Sequence, residues 1–232
     1  MKRPKIAIWS LFRDAAGPQI DQYIRQINEL DYPKRSLRIY AGESDSRDGT
    51  HAELTAWAAK DKRVRVIKHD TGDPYLGHTT DPRRMATLAK TGNVLWDKIA
   101  ADGWADYALM LESDLVIKPN LIDELLNCPL GDIVAPMIWL PSGGQSRFYD
   151  VWAFRTDGRH FPPNGPAWYA AQYQEPFELT SAGSVLLIKA AVLHSGARFG
   201  YTDAVVGLCN QAREAGYTIY CDPSIHVVHP IG

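Results

Sequence analysis

The sequence predicts an α/β fold in which one central, mostly parallel sheet is flanked by helices. Apolar runs of strand length alternate along the first 140 or so residues with segments of helical periodicity. The connections between them are short, which favours crossovers that return each strand parallel to the previous one. The run Tyr107–Leu111 is apolar without alternation, as expected of a strand buried on both faces of such a sheet.

The first half of the chain alternates regularly between the two kinds of segment. Its apolar runs predict four strands, at 5–12, 37–41, 64–67 and 107–111. Between these strands, helical periodicity predicts a helix opened by Gly17 and Pro18, a second around Trp57 and a long third helix over Pro82–Asp102. Gly92 is the weak point of the third helix.

The second half predicts similar elements interrupted by a long irregular segment. Pro119 starts a short helix, and a strand at 132–140 follows. Residues 142–176 are rich in glycine, proline and aromatic residues and show little periodicity, but their aromatic content argues against disorder. These aromatic rings either stack on a sugar ring or a base, or cover the sheet. After this segment we expect a strand at 184–188, a helix at 203–215 and strands at 218–221 and 225–229.

Composition and charge limit the classes of function. The 232 residues suffice for a single domain with a sizeable core, and a net charge of −2 provides no general attraction to nucleic acid. The three cysteines lack C-x-x-C spacing, so they predict neither a disulfide framework nor a zinc site. No run of 18 apolar residues exists, and the N-terminus predicts a first strand rather than a signal peptide. These features predict a cytoplasmic protein.

Two acidic residues follow the buried strand at 107–111. They are Glu112 and Asp114, separated by one serine. If the strand extended through them, both carboxylates would point to the same side of the sheet. Like charges repel unless a cation lies between them, and Mg2+ and Mn2+ prefer oxygen ligands. Since ligands of open α/β sheets bind beyond the carboxyl ends of strands, the pair predicts a divalent metal site. The alternative is a loop with two solvated acids.

Several motifs, in this order, resemble those of glycosyltransferases with the GT-A fold. Residues 43–50, Glu-Ser-Asp-Ser-Arg-Asp-Gly-Thr, look like the loop after the second strand of family 2 enzymes, and Glu112-Ser-Asp114 occupies the place of the D-x-D motif. Downstream, Tyr149-Asp-Val-Trp152, Tyr201-Thr-Asp-Ala204 and residues 215–223 resemble the Anp1/Mnn9-type mannosyltransferases. The resemblance implies a GT-A (Rossmann-like) single domain with a nucleotide-sugar-binding half at 1–118 and an acceptor-binding half at 119–232.

The same resemblance implies a metal-dependent glycosyltransferase that moves a sugar from a UDP- or GDP-sugar to an acceptor hydroxyl. Glu43 would contact the nucleobase, since a carboxylate accepts hydrogen bonds from a base N–H. Either Arg83 or Arg84 would face the diphosphate, because a guanidinium suits phosphate oxygens. The other implied donor-binding residues are Ser10, Leu11, Arg13, Asn93, Glu112 and Ser113.

The metal implied by the resemblance is Mn2+ or Mg2+, bound by Asp114, with Glu112 reaching it directly or through water. His229 takes the place of a C-terminal histidine that completes the metal shell, and a neutral imidazole suits Mn2+ better than Mg2+. His226 is the competing candidate.

Asp203 is either the N-cap of the following helix or the acid near the acceptor, which in an inverting enzyme is the general base. The preceding threonine is closer to the retaining mannosyltransferases, so the stereochemistry stays open.

The acceptor is not identified by the sequence and could be a glycan, a lipid or a protein. The implied acceptor-binding residues are Tyr149, Asp150 and Trp152. A bacterial or phage enzyme could also modify a hydroxymethylated DNA base, with phosphate contacts from Arg147, Arg155, Arg159 and His160. A sugar-nucleotide pyrophosphorylase would carry a glycine-rich signature after the first strand, and Ser10-Leu-Phe-Arg13 is not one. A non-catalytic nucleotide-sugar-binding module is the alternative of another class.

Overall fold

A large mixed sheet forms the centre of the protein and brings the predicted site residues to one edge. The structure is a computed structural model that describes residues 3–77 and 81–230. Within those residues the order of the strands in the sheet is β3-β2-β1-β4-β10-β5-β11-β9, with β6 paired to β5. These strands are β1 (Ile6–Phe12), β2 (Leu37–Glu43), β3 (Val64–Lys68), β4 (Tyr107–Leu111), β5 (Ile133–Ser142), β6 (Gln145–Phe148), β9 (Phe177–Leu179), β10 (Val185–Lys189) and β11 (Ile219–Val228).

Helices cover both faces of the sheet, and a small hairpin lies outside it. The hairpin consists of β7 (Arg155–Thr156) and β8 (Arg159–His160). The helices are α1 (Pro18–Glu29), α2 (Thr50–Lys60), α3 (Pro82–Asp102), α4 (Leu121–Asn127), α5 (Pro166–Gln172), α6 (Ala190–Leu193) and α7 (Val205–Glu214). Among the helices described, none combines the length and the apolar character needed to cross a bilayer.

The predicted mostly parallel sheet is confirmed, with antiparallel strands in its second half. β1 is parallel to both β2 and β4, β2 is parallel to β3, and β11 is parallel to β5. β10 runs antiparallel between β4 and β5, while β9 and β6 add antiparallel pairs to β11 and β5. The carboxyl ends of β1, β2 and β4 therefore meet at one edge, as the sequence analysis requires.

Several elements differ from the sequence prediction in their bounds or number. The two C-terminal strands are one strand, β11, because an irregular register between Asp222 and His226 bridges the predicted gap without ending the pairing. The helix predicted at 203–215 begins at Val205, and the one predicted from Pro119 begins at Leu121. The irregular segment at 142–176 contains β6, the β7–β8 hairpin and α5, which are too short for periodicity to indicate.

Burial on both faces of the sheet explains the unbroken apolar runs. Along β1, Ala7 and Trp9 belong to the hydrophobic cluster on one face, whereas Ile6 and Ile8 belong to the cluster on the other. All four side chains are at most 1% exposed. A strand with two buried faces cannot alternate between apolar and polar residues, so continuity of the apolar run is the signal of its position.

Gly92 of α3 has a packing role. A Cβ at this position would lie 3.4 Å from the Phe199 ring, so the glycine lets that ring lie close to the helix. Phe199 packs edge-to-face against Trp9, at 5.5 Å between ring centroids, and against Trp96, at 6.4 Å. The loop before α7 is thereby attached to α3 and β1.

Asn93 completes this attachment with a pair of hydrogen bonds. Its Nδ2 donates to the Phe199 carbonyl at 3.1 Å, and the Phe199 N–H donates to its Oδ1 at 2.9 Å. Both polar atoms of the amide are therefore bound to the backbone of the loop that precedes Asp203.

Asn93→Ala should lower the free energy of unfolding by about 1–3 kcal/mol, because it leaves a backbone donor and a backbone acceptor without partners. The measurement is urea denaturation followed by tryptophan fluorescence. Asn210→Ala, on the exposed side of α7, is the matched control and should change stability by less than about 0.5 kcal/mol. Equal effects of the two substitutions would contradict a structural role for Asn93.

Candidate functional site

The candidate site begins where β4 ends. The strand stops at Leu111, and Ser113 and Asp114 lie in a turn rather than in a continued strand. The condition under which strand geometry would point Glu112 and Asp114 to the same side, a strand that continues through both residues, is therefore not met. The turn begins where the Glu112 N–H donates to the Ser184 carbonyl at 2.9 Å, one residue before β10.

Asp114 lies against His229, which follows β11. The Nε2 atom of His229 is 3.3 Å from Oδ2 of Asp114, and the histidine ring stacks on Tyr149 with 3.9 Å between ring centroids. Nδ1 of His229 is 2.8 Å from the Pro230 carbonyl, so it is the nitrogen that carries a proton to donate there. When the imidazole is protonated, Nε2 donates to the Asp114 carboxylate; when it is neutral in this tautomer, Nε2 offers a lone pair to a cation. Two residues 115 positions apart in sequence thus meet at the edge of the sheet.

The competing histidine lies elsewhere. Nε2 of His226 is 3.0 Å from the Pro223 carbonyl, and its ring packs edge-to-face on Trp139. Of the two histidines considered from the sequence, His229 is the one that the structure brings to Asp114.

The pair formed by Asp114 and His229 suits a divalent cation in its chemistry. A carboxylate oxygen and an imidazole nitrogen are common ligands of Mn2+, and the Nδ1 contact fixes the ring orientation in the way that outer-shell bonds do in metal sites. In the part of the chain that the structure describes, no three His, Cys, Asp or Glu side chains come close enough to form a complete protein cage. This fits an ion that takes its other ligands from water and from phosphate oxygens.

Buried acidic groups surround this pair. Burial, and then the charges of Asp114 and Asp150, raise the pKa of Glu112 to about 7. Burial also raises the pKa of Asp150, to about 6, although the backbone N–H groups of Ala153 and Gly183 act in the opposite direction. The pKa of the Tyr149 phenol is raised by burial and by the three carboxylates. The site is therefore short of positive charge.

The pKa of His229 is affected by the same accumulation of negative charge. Burial tends to lower the pKa of its imidazole, but the contact with Asp114 outweighs burial and the pKa is raised overall. A cation of any kind is favoured at this position.

The two candidate arginines of α3 differ in their surroundings. Arg83 is exposed, and its guanidinium is paired with Asp81, with Nη2 2.7 Å from Oδ2. Arg84 is half-buried and close enough to Tyr149 to lower the pKa of its phenol, against the larger effect of burial. Arg84 therefore faces the acidic site, whereas Arg83 does not.

Four of the predicted donor-binding residues lie at the ends of β1 and β2. Ser10 is 2% exposed and its hydroxyl is 2.6 Å from the hydroxyl of Tyr23, so it faces the core. Leu11 is partly buried against the hydrophobic cluster. Glu43, 1% exposed, accepts a bond from the Ser46 N–H through Oε1, while Oε2 has no hydrogen-bond partner and lies 3.5 Å from Nδ1 of His51. Arg13, the fourth, is partly exposed, and its Nη2 donates to the Asp73 carbonyl at 2.6 Å.

Two more donor-binding candidates make contacts within the protein. Asn93 holds the Phe199 loop, as described above. Ser113 is 8% exposed and accepts a hydrogen bond from Nε2 of Gln19 at 3.0 Å, which ties the turn after β4 to α1. These contacts use the Asn93 amide and an acceptor position of the Ser113 hydroxyl within the protein.

Asp203 is not a helix cap. Helix α7 begins at Val205, its N-cap is Ala204, and that cap makes no side-chain hydrogen bond. The Asp203 carboxylate instead lies between two glycines: a Cβ at Gly200 would collide with Oδ1, and one at Gly207 would lie 2.5 Å from it. Within residues 3–77 and 81–230, no hydrogen bond or ion pair reaches this carboxylate.

A chain of close contacts connects the loop carrying Asp203 to the acidic site. Val205, two residues further on, has Cγ1 3.4 Å from the place of a Cβ at Gly183, and Oδ2 of Asp150 is 2.9 Å from the same place. Gly183 precedes Ser184, whose carbonyl accepts the Glu112 N–H. Asp203 and Asp150 thus lie on neighbouring segments beyond the end of β4.

The predicted acceptor segment is folded by its own contacts. Oδ1 of Asp150 accepts a hydrogen bond from the Ala153 N–H at 3.0 Å. Trp152 is partly exposed and lies under the Arg155 guanidinium, 5.6 Å from its ring centroid. The predicted phosphate-contacting arginines do not share one surface element: Arg147 is in β6, whereas Arg155 and Arg159 are on opposite strands of the small hairpin.

Sequence reasoning predicted a polar loop at 69–82 but missed that residues 70–75 of it join the edge of the site. Asp45 accepts hydrogen bonds from the Thr71 N–H, the Thr71 hydroxyl and the Gly72 N–H, and so joins the loop after β2 to this one. Burial tends to raise the pKa of Asp45, but these bonds outweigh it and the pKa is lowered. The density of turn-forming residues after both strands was the available signal.

No family model matches the chain. Two curated relatives are similar to part of it. Probable inactive glycosyltransferase 25 family member 3 of Bos taurus is 25% identical over 175 residues, and inactive glycosyltransferase 25 family member 3 of Homo sapiens is 23% identical over 175 residues. Each alignment covers 68% of this chain and 28% of the relative, so the chain spans less than a third of the relatives' length.

Solved glycosyltransferase structures superpose on nearly the whole chain. The mannosyltransferase PcManGT of Pyrobaculum calidifontis, in complex with GDP-Man and Mn2+, matches 98% of this chain and 57% of its own with a TM-score of 0.62 at 14% identity. TarS of S. aureus, residues 1–349 with UDP-GlcNAc, matches 98% of this chain and 59% of its own with a TM-score of 0.60 at 12% identity. The chain therefore has the GT-A fold. Its likeness to the Anp1/Mnn9-type enzymes stays a prediction.

The stability of the protein should depend on pH through Asp150. The pKa of Asp150 is about 6 in the folded state and about 4 in the unfolded state. Its protonation therefore favours the native state fully below about pH 4, and this contribution to stability is lost as the pH rises through about 6. The free energy of unfolding of the wild type, relative to Asp150→Asn, should fall from about pH 4 to about pH 7. Urea denaturation across this range measures it, and parallel pH profiles would contradict the assignment.

Proposed function

We propose that the protein transfers a sugar from a nucleoside diphosphate sugar, either UDP- or GDP-linked, to an acceptor hydroxyl. The observation that carries the proposal is the contact between Asp114 and His229 beyond the end of β4, in a GT-A fold. A nucleotide-binding half at 1–118, an acceptor-binding half at 119–232 and a cytoplasmic setting belong to the proposal. Three free cysteines agree with a reducing compartment.

In this proposal the donor lies across the carboxyl ends of β2, β1 and β4. The base is near Glu43 and Arg13, and the diphosphate is near Asp114. Asp114 and His229 would hold Mn2+ or Mg2+, with Glu112 beside them, and the ion would act as a Lewis acid that neutralises charge developing on the diphosphate. PcManGT, solved with GDP-Man and Mn2+, supports this choice of cofactor.

Arg84 is the better candidate for the second positive charge at the diphosphate. It is half-buried on the side of α3 that faces Tyr149 and the acidic groups, whereas Arg83 is exposed and paired with Asp81. A guanidinium held beside buried carboxylates is less screened by solvent than an exposed one.

The acceptor side consists of Tyr149, Asp150, Trp152 and Asp203. The acceptor oxygen would form a bond to the anomeric carbon as the bond from that carbon to the diphosphate breaks. Asp203 would receive the hydroxyl proton in an inverting reaction, and its lack of a bonding partner within the described residues suits this role. In a retaining reaction it would orient the acceptor. Asp150 would hold an acceptor hydroxyl.

A nucleotide-sugar-binding module without transferase activity is the second candidate function. Both curated relatives are named as inactive or probably inactive glycosyltransferases, which favours this candidate. A hydroxymethylated DNA base in a bacterial or phage setting is a special case of the first candidate. It has less support, since Arg147 is separated from the hairpin that carries Arg155, Arg159 and His160.

Release of UDP or GDP from a panel of sugar nucleotides, with and without Mn2+, tests transfer against binding. We expect Mn2+-dependent release in the wild type and a loss of at least about a hundredfold in Asp114→Asn, because the substitution removes a charged ligand without changing side-chain size. Circular dichroism checks that the variant is folded. Nucleotide binding by calorimetry without any turnover would support the binding module instead. Glycan, lipid and hydroxymethylated DNA acceptors are then tested with the sugar nucleotide that gave release.

The two arginines of α3 provide a matched pair of variants. Arg84→Ala should weaken binding of GDP or UDP in the presence of Mn2+ by about tenfold or more, since it removes a partly buried charge near the diphosphate. Arg83→Ala should change it less than about threefold, because Arg83 is exposed and paired with Asp81. Isothermal titration calorimetry measures both. The reverse ranking would place the diphosphate on the other side of the helix.

A further inference from the structure

Tyr75 is the most exposed large apolar side chain in the part of the chain that the structure describes. Its side chain is 61% exposed, and it lies in the loop between β3 and α3. A single exposed aromatic residue is ordinary on a protein surface. The surroundings of this ring, however, are not those of an ordinary surface residue.

The loop that carries Tyr75 is fixed by buried and half-buried polar groups. Asp45 receives hydrogen bonds from Thr71 and Gly72, at 2.6–3.0 Å. Two residues before the tyrosine, Oδ2 of Asp73 receives bonds from the Thr87 hydroxyl at 2.7 Å and from Nζ of Lys90 at 2.9 Å, both on α3. The ring is therefore presented to solvent on a segment held from both sides.

Arg13 connects this ring to the end of β1. Its Nη2 donates to the Asp73 carbonyl at 2.6 Å, and its guanidinium carbon lies 5.8 Å from the centroid of the Tyr75 ring. Arg13 directly follows β1, and the last residue of β1, Phe12, pairs with Glu43 at the end of β2. The tyrosine ring thus lies on the β1–β2 side of the candidate site.

The distance between the acidic site, at the end of β4, and the end of β2 suits one ligand class, a nucleoside diphosphate. β4 lies next to β1, and β2 lies on the other side of β1, so two strand spacings, about 10 Å, separate the ends of β4 and β2. With a diphosphate near Asp114, a ribose spans that separation and brings a flat heterocycle to the region of Arg13. A sugar acceptor would lie instead near Asp203, on the side of α7.

We infer that Tyr75 is the platform on which the base of a nucleoside diphosphate stacks. One side of the ring is near the Arg13 guanidinium, and the rest is open to a second flat group. Stacking on an aromatic side chain accepts any base, while Glu43 and Arg13 provide the polar groups that could select among them. This inference rests on the proposed function, because it takes the diphosphate to lie at Asp114.

Calorimetry with Mn2+ tests the inference with three probes: GDP, UDP and inorganic pyrophosphate, which has no base. Tyr75→Ala should bind the preferred nucleotide about ten- to a hundredfold more weakly than the wild type, and should bind pyrophosphate with unchanged affinity. Tyr75→Phe keeps the ring and should stay within about threefold of the wild type. Tyr201→Ala removes an equally exposed tyrosine, 60% exposed, from another loop and should leave nucleotide binding unchanged.

Three other results would contradict the inference, and each can be told from the others. If Tyr75→Ala binds the nucleotide as the wild type does, the base does not stack there, and the proposed donor site stands without it. If the variant loses affinity for pyrophosphate and nucleotide equally, the loop is disturbed and stacking is rejected. If the wild type binds none of the three probes, the proposed function fails together with the inference.

Discussion

The accumulation of negative charge beyond the end of β4 is the constraint that organises the candidate site. The charges of Asp114 and Asp150 both raise the pKa of Glu112, and burial raises the pKa of Glu112 and of Asp150 far above ordinary carboxyl values. A protein region can hold such charges only if some are protonated or if cations approach them. His229 supplies one response, since contact with Asp114 raises its pKa despite burial. A divalent ion that carries a diphosphate ligand would be a second response, and the same carboxylates could bind that ion.

Most of the contacts that fix the loops around this edge come from groups outside the proposed ligand contacts; Arg13, which donates to the Asp73 carbonyl, serves both purposes. Asp45 and Asp73 hold the loop after β3, Gln19 holds the turn after β4 through Ser113, and Asn93 holds the loop before α7. Each of these contacts is worth about 1 kcal/mol on average. Together they keep Arg13, Asp114 and Asp203 on segments with little freedom to move, which lowers the entropy lost when a ligand binds.

The sequence indicated the sheet well because its strands are buried on both faces. Continuous apolar runs such as Tyr107–Leu111 have no competing interpretation at that length, and their order gave the parallel half of the fold. It could not indicate that β10 inserts antiparallel between β4 and β5, because strand pairing depends on contacts between distant residues. The short elements at 142–176 were missed for a related reason: two- to four-residue strands show no period.

For the site, resemblance identified acids and histidines but not what each side chain does. Ser10 and Asn93 were expected near the donor, yet their polar atoms bond to Tyr23 and to the Phe199 backbone. Residue type alone could not separate Arg83 from Arg84, since adjacent positions on a helix differ only in which way they face. Tyr75 was overlooked because an isolated aromatic in a polar loop carries no period and belongs to none of the motifs.

The position of Asp203 bears on whether the protein transfers sugars or only binds them. A carboxylate without a bonding partner among the described residues gains nothing for the stability of the fold, and side chains at Gly200 or Gly207 would displace it. The loop that carries it is nevertheless attached to α3 by Phe199 and Asn93 and to the acidic site through Val205 and Gly183. Binding a nucleotide at the ends of β1, β2 and β4 does not require an acid at this place. In the proposed transfer reaction, a carboxylate that is held in position yet has no bonding partner among the described residues could exchange a proton with an acceptor hydroxyl.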